Sequence, residues 1–132
     1  MQNNSQNQKK RSLDFCELTL RDDSIVQINI FAVKDITEKE VEIMIVETLK
    51  LTNSKLLPVL IFVDEFVQFS KGAREYSASK DGKRACIAEA FVINNLGHLI
   101  IGNFYMKINT PVKPVAFFKE DKEALKWLKT QY

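Results

Sequence analysis

The chain has 132 residues, of which 45% are hydrophobic and 27% charged, and its formal charge is +2. Those proportions describe one ordinary globular domain whose core needs neither disulfide nor metal. Four glycines and three prolines exclude a collagen-like or low-complexity chain, and the longest apolar run, Leu56 to Val63, is far too short to cross a bilayer.

Residues 1–12 are rich in Asn, Gln and Ser, hold Lys9, Lys10 and Arg11, and lack hydrophobic periodicity after Met1. They are expected to form a disordered tail, and with no apolar stretch behind the charges they do not read as a signal peptide. Residues 13–132 then make up a single domain. From Ser12 onward the chain carries 16 bases against 17 acids, which leaves no basic stripe for specific nucleic-acid binding. Cys16 and Cys86 lack CxxC spacing and read as reduced thiols of a cytoplasmic protein.

Leu13 to Leu20 alternates apolar and polar positions, Arg21 to Ser24 is a turn cluster, and Ile25 to Val33 is β-branched and apolar. Together they predict a β-hairpin. Thr37-Glu38-Lys39-Glu40 is a capping box that opens a first helix, with Val41, Met44, Ile45, Thr48 and Leu49 at helical spacing and Asn53-Ser54 at its end. The run Pro58 to Val63 marks a strand covered on both faces and ends at Asp64. A second helix starts near Ser70 and gives way to the turn Lys80-Asp81-Gly82-Lys83. Ala85 to Ile93 is another central strand, with Glu89 discordant in it. Asn94-Asn95 caps a third helix through Lys107, which Thr110-Pro111 breaks. Val112 to Phe118 is a strand. A last helix over Glu120 to Thr130 is acidic at its start and basic at its end, as the helix dipole prefers. The order β-β-α-β-α-β-α-β-α implies an α/β domain with a mixed, mostly parallel sheet and an antiparallel edge from the hairpin.

Catalytic constellations are scarce. His98 is the single histidine, no cysteine or carboxylate stands at metal-ligand spacing from it, and Cys86 lies inside an apolar strand where a thiol is inert. No phosphate-cradling glycine motif is present, so no metal, cofactor or catalytic residue is expected. Binding is the better-supported chemistry. Lys71, Arg74, Lys80, Lys83 and Arg84 outnumber Glu75 and Asp81 in the segment after the central strand. With Asp64 at the strand end and Ser70 at a helix start, this edge is the candidate site for an acidic partner or anion, and Ser70 is the candidate phosphoacceptor. The third helix is apolar over more of its circumference than one sheet contact requires, through Leu96, Leu99, Ile100, Ile101, Phe104, Tyr105 and Ile108. The excess predicts a homodimer contact or a lipid-lined cavity between this helix and the sheet.

Two segments carry a family resemblance: the buried strand Pro58-Val59-Leu60-Ile61-Phe62-Val63-Asp64, and the closing stretch Val115 to Leu128, which fits the pattern F-x-(D/E)-x-x-x-A-x-x-W-L. In these segments and in element order the chain resembles the STAS-like, SpoIIAA-like domains related to bacterial anti-sigma-factor antagonists. The Ser-Ser-Gly turn that follows the central strand in the phosphorylated members is absent, since the chain continues Glu65-Phe66-Val67-Gln68-Phe69. The resemblance implies a non-enzymatic regulatory or protein-interaction domain without that phospho-switch, its protein partner unnamed by the sequence. The alternative is a carrier of a small apolar or lipid-like ligand held between the sheet and the third helix.

Overall fold

A computed structural model describes residues 9–31 and 35–132. Its six strands lie in one sheet in the order in which they occur in the chain: β1 (Lys10–Ser12), β2 (Cys16–Leu20), β3 (Val26–Ile30), β4 (Leu57–Val63), β5 (Cys86–Val92) and β6 (Val115–Phe118). β1, β2 and β3 pair antiparallel, and β3 through β6 pair parallel. Helices α1 (Glu38–Leu51), α2 (Lys71–Ala78) and α3 (Leu96–Phe104) form the crossovers, α3 runs on into a π-helical turn over Tyr105–Asn109, and α4 (Asp121–Leu128) follows β6. The α/β class, the opening hairpin and the alternating order are those read from the sequence.

The period of two along the strands divides the core. Val59, Ile61 and Val63 of β4 join Leu18, Ile28 and Ile30 beneath α1, α2 and α3. Leu60 faces the other way and packs with Ile25, Ala88 and Ala90 against Ala124 and Leu128 of α4. The three crossovers all advance in one direction along the sheet, so a constant hand puts their helices on one face. The opposite face is left for α4. Its closest approach falls on alanines of β5, which is why those positions carry no larger side chain.

Helix boundaries follow local chemistry. At α1 the Glu40 carboxylate accepts from both the Thr37 N–H at 2.8 Å and the Thr37 hydroxyl at 2.5 Å. Its far end turns through Asn53 and Ser54, both with positive φ, which Asn in particular tolerates. Ser70 and Asn95 cap α2 and α3 by accepting from the N–H of Ala73 and His98.

One boundary differs from the sequence reading. Lys10 to Ser12, assigned there to the disordered tail, form the edge strand β1, while residues 1–8 of that tail lie outside the described residues. The basic cluster is drawn in by acids distant in sequence: Arg11 Nη2 sits 2.6 Å from Glu47 on α1, Lys10 Nζ 3.4 Å from Glu17 and Lys9 Nζ 3.2 Å from Asp22. A lysine- and arginine-bearing edge also discourages pairing with another sheet.

Candidate functional site

Between the sheet and its three-helix face lies an apolar cavity of about 110 Å³. Met44 and Ile45 of α1, Ile61 of β4 and the rings of Phe91 and Phe117 form much of its wall. Phe91 and Phe117 stack at 5.1 Å between centroids, and Tyr105 meets Phe117 edge-on at 6.5 Å. Gly102 brings α3 close to this wall, because a Cβ there would lie 3.0 Å from the Phe117 ring.

At one end the wall is polar. Lys83 is fully buried, and its Nζ donates to Glu89 Oε1 at 2.5 Å, Tyr105 Oη at 2.8 Å and Ser77 Oγ at 3.2 Å. The ammonium proton count is met by these three acceptors. Burial opposes the charge on Lys83, but the Glu89 carboxylate outweighs it and holds the ammonium above the usual lysine range. Lys83 itself stands behind the wall, and Glu89, Tyr105 and Ser77 face the cavity. The turn that delivers Lys83 packs tightly on the end of α2: a Cβ on Gly82 would fall 1.8 Å from the Tyr76 carbonyl oxygen, so glycine is the residue that fits.

A second charged group ties the helices together nearer the surface. Arg84 donates from both terminal nitrogens to Glu42 of α1, at 3.0 and 2.7 Å, and the Tyr76 hydroxyl of α2 donates to the same carboxylate at 2.5 Å. Hydrogen bonds from Arg84 and then Tyr76 pull the Glu42 carboxyl down to about 2.

His98 secures the start of α3. Its Nε2 lies 2.7 Å from the Val67 carbonyl oxygen and its Nδ1 3.3 Å from Asn95 Nδ2. The carbonyl on one side places a proton on Nε2, and the amide NH₂ on the other meets Nδ1. The outward side of the same helix is bare. Leu96, Ile100 and Phe104, spaced four apart, are 71%, 58% and 53% exposed, and Ile108 beyond them is 62% exposed. Phe66 stands exposed in the loop that Asn95 binds through the Glu65 carbonyl.

The sequence-derived edge divides in two. α2 carries the chain from the carboxyl end of β4 back to the start of β5, so Asp64, Ser70, Lys71 and Arg74 lie at one end of the sheet and Lys80, Lys83 and Arg84 at the other. Asp64 and Lys71 are exposed. Ser70 is engaged as the cap of α2, and Arg74 donates to the Phe69 carbonyl at 2.7 Å. Lys80 is exposed, whereas Lys83 and Arg84 are bound by Glu89 and Glu42. Asp64 also borders a wider open depression of about 460 Å³ shared with Asn29, Asn94 and Lys119. The seven candidates for binding an anion or acidic partner thus do not share one edge, and Lys83 belongs to the core. Its signal was present in the discordant Glu89, since an acid in an apolar strand requires a cation.

The family described as Domain of unknown function (DUF7793) matches residues 18–132. No curated protein matches the chain. Among solved structures, a protein with unknown function from Arthrobacter sp. FB24 is 22% identical, with 85% of this chain and 97% of that chain covered and a TM-score of 0.29.

Proposed function

The chain belongs to the DUF7793 family, and on that premise we propose that it is a non-enzymatic, STAS-like regulatory domain that acts by binding protein. The outer face of α3 carries this reading. Leu96, Ile100, Phe104 and Ile108, with Ile101, Met106 and Val112 beside them, present roughly 700 Å² of apolar surface, more than solitary domains ordinarily leave in water. From Asn94 to Met106 there is no Asp, Glu, Lys or Arg. Lys107, exposed between Met106 and Ile108, is the charge at the far end of the stripe; a charged partner finds little complement there, while a second copy related by a two-fold axis meets an apolar surface identical to its own. The area per copy is close to the ~800 Å² that one side of a standard interface buries. A homodimer through α3 is therefore the assembly this reading commits to. Two buried free thiols suit a reducing compartment such as the cytoplasm.

The test is the molar mass in solution, by light scattering on a sizing column. The wild type is expected to run as a dimer at concentrations of about 100 µM. Ile100→Asp combined with Phe104→Asp is expected to run as a monomer with unchanged far-ultraviolet circular dichroism. A monomeric wild type up to about 1 mM removes the proposal. A second reading, carriage of a small apolar molecule, draws on the cavity behind the same helix, whose volume suits a compact molecule rather than a lipid chain.

A further inference from the structure

We infer that the cavity between the sheet and α1, α2 and α3 is a binding site for a single small aromatic ring bearing one neutral hydroxyl group. The inference deepens the carriage reading and is independent of what docks on the outside of α3.

Size sets the first limit. Close packing leaves few voids larger than a water molecule in protein interiors, and this one measures about 110 Å³. An engineered apolar cavity of about 150 Å³ stays dry and takes up benzene. The space is thus that of one six-membered ring with little to spare. The wall is suited to a ring as well, with the Phe91–Phe117 stack on one side and the pliable Met44 on another.

The polar end sets the second limit. All three Lys83 protons are used, on Glu89, Tyr105 and Ser77. Tyr105 and Ser77 lie 3.2 Å apart, and one of these hydroxyls donates to the other. That leaves one hydroxyl proton of the pair without an acceptor among the described residues. Glu89 Oε2 likewise has no donor among them. The site therefore offers one donor and one acceptor, and a ligand hydroxyl, which both accepts and donates, satisfies the two together.

Charge sets the third limit. Lys83 and Glu89 already balance each other. A carboxylate entering the polar end would face Glu89, whose partner Lys83 is fully engaged, while Arg74, the other cation on the lining, is held by the Phe69 carbonyl a turn of α2 away from Ser77. An ammonium would lose its hydration for a carboxylate already engaged by Lys83. A neutral group pays neither penalty.

Phenol, toluene, benzoate and benzylamine serve as probes, with binding read by titration calorimetry and by ligand-dependent melting of the whole chain. Phenol is expected to bind saturably with a Kd of about 0.1–1 mM and to raise the melting temperature, and toluene is expected to bind about tenfold more weakly. Benzoate and benzylamine are expected not to bind. Tyr105→Phe combined with Ser77→Ala removes both hydroxyl donors and is expected to bring phenol down toward the affinity of toluene with little effect on toluene itself. Ala73→Leu, or Ala85→Val should the first variant fold poorly, fills the space and is expected to abolish both. Absence of saturable phenol binding overturns the inference, as does phenol binding that survives the filling variants. Toluene binding as tightly as phenol, or benzoate or benzylamine binding at all in the cavity, overturns the assigned ligand class.

Discussion

Lys83 shows how one residue can set the character of a whole wall. It lies in a stretch, Lys80-Asp81-Gly82-Lys83-Arg84, that reads in sequence as solvated. In three dimensions the turn folds under α2 and sends its ammonium to Glu89, six residues on. Lys83→Ala is expected to cost about 3–5 kcal/mol in denaturant unfolding, because Glu89 is left as an uncompensated buried charge. The double variant Lys83→Met with Glu89→Leu is expected to recover most of that loss, and failure to recover would assign the cost to packing instead. The Glu42 carboxylate belongs to the same scale. With its folded value near 2, below the ordinary 4.5, it contributes stability above about pH 4.5 that is lost as pH falls toward 2. Its partial exposure keeps the contribution small. Glu42→Gln is therefore expected to flatten the acid limb of a stability–pH curve while leaving the neutral and alkaline limbs parallel to wild type. Cys16 and Cys86 are both pushed up to about 12, chiefly by burial. Neither is expected to react with a thiol reagent at pH 8 until the chain is unfolded.

Elements were legible wherever a period and a cap agreed. The capping residues Ser70 and Asn95, the two-faced strand β4 and the closing helix all emerge from side-chain spacing, because those signals are local. β1 was not legible, since its pairing depends on Glu47, Glu17 and Asp22, none of which neighbours it in sequence. Deleting residues 1–12 is accordingly expected to lower stability by about 1–2 kcal/mol and to promote association through the uncovered edge of β2, measured by unfolding and by light scattering. Trp127 of α4 packs locally instead, its ring 5.9 Å from that of Phe118 at the end of β6. Because the ring is only partly buried, Trp127→Ala is expected to cost about 2 kcal/mol, below the usual range for a fully buried aromatic. The excess of apolar residues on α3 was also visible in the sequence. Their division into an inner set facing the cavity and an outer set facing solvent was not, because it depends on where Gly102 and His98 press the helix against the sheet.

For the whole molecule, the cavity is a stability deficit spread over three helices and a sheet. At the cost per unit volume measured for core voids, about 110 Å³ amounts to roughly 2–3 kcal/mol. Filling it by Ala73→Leu is expected to raise the melting temperature by several degrees, provided the added side chain is accepted without strain. The place of the cavity was legible, since the apolar excess of α3 predicts one between that helix and the sheet, but its polar end was not, because Ser77, Lys83, Glu89 and Tyr105 come from separate elements.

The position of α4 has a bearing on how the chain folds. Among the described residues it is the one helix that does not bridge two strands, and it lies across the back of the sheet from β6 toward the β2–β3 turn, where the Tyr132 hydroxyl donates to the Asp23 carbonyl at 2.7 Å. Every strand pairs with its immediate predecessor, so the sheet grows outward from the hairpin, and each parallel addition closes a whole helical crossover, as the pairing of Val26 with Val59 and of Glu89 with Val115 does. α4 follows the six strands in the chain, and until it docks, Leu60 of β4 and Ala88 and Ala90 of β5 form an open greasy floor on the back of the sheet. A newly made chain in that interval exposes this floor to aggregation or to capture by a chaperone.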